Sequence, residues 1–155
     1  MTELQKLETT MENEKKAIAQ GVIKARVWGQ IAEVKVQVSS AVEQGKQLAE
    51  RLTSAAQGDL SAEKMNEIDG LQEELTATFS RLSEVKVTIA KHMQGASPEA
   101  RQELTKQLAS ATQTETSLRS AKTAATAFSQ EGKEKVATLK GATFRCRLAL
   151  KCLEI

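Results

Sequence analysis

Aromatic residues are nearly missing from this 155-residue chain, which holds three Phe, one Trp and no Tyr. Compact α/β enzymes draw much of their buried area from such rings, so that class is disfavoured at once. Breakers are equally scarce. One Pro and eight Gly are too few for a fold of many short strands and tight turns. The cysteines are Cys146 and Cys152. On a helix they would point about 120° apart at a rise of about 9 Å, and on a strand they would lie roughly 20 Å apart. Neither arrangement brings Cα atoms within the about 7 Å that a disulfide spans. Reduced thiols are expected, with an intermolecular link left open.

Chemistry-bearing patterns are absent too. The single histidine, His92, is remote from both cysteines, so no zinc site is expected. No glycine-rich phosphate loop, HExxH pair or nucleophile elbow occurs. The expectation is a protein that is not an enzyme and needs no metal or cofactor. No apolar run approaches a bilayer's thickness, and "MTELQKLETTMENEKK" lacks the basic start and apolar core of a secretory leader. Cytoplasmic residence is the default expectation, with secretion lacking a cleaved leader left open. The net charge of +2 makes no electrostatic case for nucleic acid. The ends differ, however. Residues 1–14 carry four Glu against one Lys, and residues 131–154 carry six Lys or Arg against three Glu.

Apolar residues make up 40% of the chain, too many for disorder, and straight-chain helix formers dominate. Two words punctuate it. In "QGDLS", Gly58 suits a helix C-terminus and Ser61 an N-cap, with Leu60 and Met65 placed as a hydrophobic staple. In "QGASPEA", Gly95 stops a helix, Ser97 caps the next, and Pro98 takes its first position. Between these words the apolar spacing alternates three and four, the seam of packed helices. Val27, Ile31, Val34, Val38, Ala41, Gly45, Leu48, Leu52 and Ala55 follow it, as do Ile68, Leu71, Leu75, Thr78, Leu82, Val85 and Ile89. A weaker seam runs through Leu104, Leu108, Ala111, Leu118, Ala121, Ala125 and Phe128 to Gly132, then resumes through Leu139, Ala142, Cys146, Ala149 and Leu153. Leu4, Leu7, Met11 and Ile18 extend the first seam toward the N-terminus. The pattern predicts one elongated all-α domain over residues 1–155. Its helices span about 3–57, 61–94 and 98–152, as an antiparallel hairpin or three-helix bundle with coiled-coil-like packing. Interruptions are allowed near Gly21, Gly29, Gly132 or Gly141.

The word "EVKV" occurs at 33–36 and again at 84–87. Alone it reads as strand. In context its first valine falls on a seam both times, so sustained periodicity outweighs the local β tendency. Its second valine, Val36 or Val87, falls opposite the seam. Val22, Trp28 and Phe79 also lie off the seam, and such a surplus suits helices that meet neighbours on two sides. The tail "TFRCRLALKCLEI" reads as a basic, apolar-faced helix or strand, in which Phe144, Leu148 and Leu150 suit a partner or membrane surface.

The functional expectation is a structural or adaptor protein that works by helix–helix association, as a homo-oligomer or with a helical partner. Two alternatives stand beside it. One is a secreted or membrane-active helical effector or translocation component that uses the tail. The other is a nucleic-acid coat or packaging subunit, weakened by the lack of aromatics to stack on bases.

Overall fold

The computed structural model describes the backbone of residues 2–153 and the side chains of residues 2–143. The chain folds into α1 (Glu3–Ala55), α2 (Ala62–Gly70), α3 (Gln72–Met93) and α4 (Pro98–Leu153). No strand occurs among the described residues, and both "EVKV" words are helical.

The turns form where the breaker residues place them. Gly58 and Gly95 take φ of +81° and +79°, the left-handed conformation that ends helices at little cost only in glycine. Ser61 Oγ accepts from the Lys64 amide at 3.3 Å, and Ser97 Oγ accepts from the Ala100 amide at 3.3 Å. Each fills one of the amide valences that a helix start leaves open. The Lys64 ammonium donates to the Gln57 carbonyl and ties the first turn shut.

The expected middle helix is present but hitched once. The Leu71 amide is shared between the carbonyls of Glu67 (3.1 Å) and Ile68 (3.2 Å), and the regular ladder resumes with Leu75 N to Leu71 O at 2.9 Å. The hitch follows Asp69-Gly70, a pair of weak helix formers where bending costs little. Leu71 itself stays in the core, 4% exposed. The interruptions allowed in the two long helices do not occur: α1 runs unbroken through Gly21 and Gly29, and α4 through Gly132 and Gly141. Gly132 marks a close approach instead, because a Cβ there would collide with Met65 Sδ and press on Leu60 Cδ2. The staple pair thus packs across onto α4.

One contiguous core joins all the helices. α1 contributes Ile31, Val34, Val38, Leu48 and Leu52; the α2–α3 limb contributes Ile68, Leu75, Leu82 and Ile89; α4 contributes Ala100, Leu104, Leu118 and Ala125. The alanine- and threonine-rich stretch of α4 is closely packed, with Ala111 and Leu118 at 0% exposure. Small residues let the axes approach, and a Cβ at Gly45 would already lie 2.6 Å from Thr114 Cγ2. Cross-helix polar pairs mark the register. Lys35–Glu103 at 3.7 Å and the approach of Gly45 to Thr114 show α1 and α4 parallel, offset by 68 to 69 positions, whereas the Arg51–Glu74 ion pair at 2.8 Å and the hydrogen bond from Arg81 to Gln44 at 2.6 Å show α3 antiparallel to α1.

Two helical arms overhang this bundle at opposite ends. The α3–α4 turn borders α1 between Gln20 and Trp28, and every described residue of α1 before Val27 is exposed, so that segment runs past the last neighbouring helix. At the other end Lys133 reaches Asp69 at 3.7 Å, and every described residue of α4 beyond it is exposed. The N-terminal arm is about 40 Å long and the C-terminal arm about 30 Å.

Candidate interaction surface

Apart from Ile23, the large apolar residues of the N-terminal arm are not an extension of the bundle seam. At 100° per residue, the buried residues of α1 centre on one face, while positions 4, 7, 11, 18, 22 and 36 gather about 150° away. The structure agrees. Leu4 is 70% exposed, Leu7 63%, Met11 52%, Ile18 67%, Val22 62% and Val36 70%. An apolar ridge of Leu4, Leu7, Met11, Ile18 and Val22 therefore runs along one face of the free arm, and Val36 stands on the same face about 20 Å further along, at the rim of the α1–α3 groove. Leu4, Leu7, Met11 and Ile18 were expected on the seam and are exposed instead. The sequence signal for this is the gap of nine between Ile18 and Val27, which breaks the three-four alternation and shifts the stripe to another face. Leu139 and Ala142, also expected on the seam, are exposed too, because no helix lies beside that part of α4.

The other off-seam residues occupy separate places. Trp28, 39% exposed, lies with Ile23 and Val27 in an apolar groove closed on one side by Gly95, Ala96 and Ser97. Here the arm leaves the bundle. Val87 is 51% exposed on α3 and does not line the groove that Val36 shares with Gln37, Gln44, Arg81 and Thr88. The two matching valines therefore look outward from different helices and do not form one patch. Phe79 is half-buried. The Arg119 guanidinium lies 5.4 Å and the Lys122 ammonium 5.9 Å from its ring centroid, so its outer face is already covered by cations from α4. Phe144, Leu148 and Leu150 lie outside the residues whose side chains are described. Their backbone is helical, which decides between the two readings of the tail.

Charge elsewhere serves packing. Glu115 accepts from Lys86 at 2.5 Å and from Arg119 at 2.7 Å. The Lys86 hydrogen bond, followed by that of Arg119, holds its carboxyl below the usual carboxylate range. Glu103 is lowered chiefly by the hydrogen bond from Gln107, with Lys35 and Lys106 nearby. Both sit where α4 meets a neighbouring helix. Among the described residues no cluster of three or more His, Cys, Asp or Glu side chains is placed to hold a metal ion, and no helix is long and apolar enough to cross a membrane. What the surface offers is therefore apolar contact and paired charge, presented on long helices. Compared with protein-family models, with curated proteins and with solved structures, the chain matches none.

Proposed function

We propose that this chain is a non-enzymatic scaffold that works by helix–helix association, presenting uncovered apolar faces at a fixed spacing along a rod. The observation that carries this reading is the outer ridge of α1. Six large apolar side chains share one face while the chain's own core is complete without them. Scattered exposed hydrophobes are ordinary, but a stripe in helical register exposes its area to water in the monomer and releases that cost when another helix covers it. The bundle supplies rigidity, and the arms carry the contact surface away from it.

Sedimentation of the full chain over a wide concentration range tests the reading. The expected result is a mass that climbs above the 16.8 kDa of one chain while circular dichroism stays helical. A particle that remains monomeric up to millimolar concentration and leaves the ridge uncovered would refute self-association.

A further inference from the structure

We propose that the free arm of α1 is a homodimerisation element, in which the N-terminal arms of two copies pair antiparallel about a two-fold axis near positions 12 and 13. The inference rests on the association reading above and names its partner, its surface and its orientation. The ridge on the arm fixes which side chains meet. Leu4, Leu7, Met11 and Ile18 take the inward positions of a heptad frame, as do Glu14 and Gly21. In an antiparallel pair the two kinds of inward position face each other. One alignment within the arm sets Leu7 against Ile18 of the second copy, Leu4 against Gly21 with Val22 alongside, and Met11 against Glu14, each contact occurring twice.

Charge chooses this arrangement. The arm is acidic in its first half and basic in its second: Glu3, Glu8, Glu12 and Glu14 are followed by Lys15, Lys16, Lys24 and Arg26, with no acid between positions 15 and 30. Such a segment is complementary to itself only when reversed. In the alignment above, Glu8 flanks the seam opposite Lys15 of the other copy, giving two inter-chain pairs by symmetry. A parallel, in-register pair would set Glu3 against Glu8, like charge on like. Among the described residues, neither Glu8 nor Lys15 forms an ion pair. Glu14 is the one discordant residue, and a polar group at a seam position sets register at some cost in affinity.

Length agrees independently. The overlap uses positions 3–22 on the ridge face, while Gln20, Ile23 and Lys24 border the groove beside the α3–α4 turn and Val27 is the first described residue of α1 that is not exposed, so each arm ends at the edge of the other copy's bundle. The ridge faces away from each bundle's core, which leaves it free to be covered. This closed two-fold contact is the commonest symmetry of soluble oligomers.

Charge reversal in the full chain tests it. Dimer affinity would be measured by sedimentation for the wild type, Glu8→Lys, Lys15→Glu, the double variant, and an equimolar mixture of the two single variants. Each single reversal creates two like-charge contacts and should weaken pairing by on the order of tenfold or more. The double variant and the mixture restore every opposite-charge contact and should recover near wild-type affinity. Both positions are solvent-exposed on a helix, so circular dichroism should not change. Singles that dimerise like the wild type, or a mixture that fails to recover, overturn the pairing. If the wild type associates and none of the variants differs, the arm interface falls while association through another face stands. A wild type that never associates removes both, and a monomer that instead sediments with phospholipid vesicles reassigns the ridge to lipid.

Discussion

Gly45 marks a close approach between α1 and α4, and its tolerance to one methyl group measures how the small-residue packing works. Alanine there would gain about 1 kcal/mol in helix propensity. Its Cβ, however, would meet Thr114 Cγ2 at 2.6 Å, and the Thr114 rotamer is held by its hydroxyl bond to the Ser110 carbonyl at 3.0 Å. Overpacking of this kind costs roughly 1–3 kcal/mol. The crowding term wins, so Gly45→Ala should lose about 1 kcal/mol in urea unfolding. Adding Thr114→Ser removes the colliding methyl and should return most of the loss, a non-additivity that only direct contact explains. Glu115 offers a second residue-level test. Its carboxyl is lowered in the folded state by Lys86 and Arg119, so its stabilising effect is complete above the ordinary carboxylate range and is lost as the pH falls through the lowered value. Glu115→Gln should cost about 1 kcal/mol near neutral pH, and the gap between the two proteins should close on acidification. A gap that stayed constant with pH would show that the ion pairs contribute nothing.

The helices themselves were legible because their ends are written in residues with one physical use: glycine where φ turns positive, serine where an amide needs an acceptor, proline where it needs none. The hitch at Leu71 was less legible, since a lone Gly70 inside a strong period permits a continuous helix as readily as a bent one. The seam over positions 27–55 was also plain. The function of the N-terminal arm was not, because periodicity reveals that a helix has a stripe without saying which neighbour covers it. Ile18 and Val27 each fit a seam; only the break between them shows that the seams differ. The energetic consequence is a steep gradient along one helix. Residues 31–55 are anchored by buried contacts on two neighbouring helices, whereas residues 3–26 rely on backbone hydrogen bonds and propensity, which are marginal for isolated segments of this length. In dilute, monomeric protein the arm's amides should exchange hydrogen on the order of a hundredfold faster than those of positions 31–55. Raising the concentration into the dimeric range should slow the arm and leave the bundle unchanged. Equal protection along α1 at every concentration would contradict both the gradient and the pairing.

At the scale of the whole molecule, the arrangement of arms makes shape a sharper discriminator than mass. Because α1 and α4 run parallel and are offset, the N-terminal arm leaves one end of the bundle and the C-terminal arm the other. One copy therefore measures about 120 Å from tip to tip at the helical rise of 1.5 Å per residue. Pairing two N-terminal arms antiparallel shares only the arm's length, so the dimer should extend to about 210 Å, with its two bundles flanking a thin waist. A dimer formed across the outward valines of the bundle would lie side by side and remain nearer the length of one copy. Small-angle scattering distinguishes these forms at equal mass. The variants give the same separation by chemistry. Val36→Lys combined with Val87→Lys changes the back of the bundle and should leave the long dimer intact, while Leu7→Lys places a charge in the waist and should return the particle to a single rod. If the valine pair shortens or dissociates the particle and Leu7→Lys does not, the contact surface lies on the bundle. The ridge along the arm would then be covered only by water.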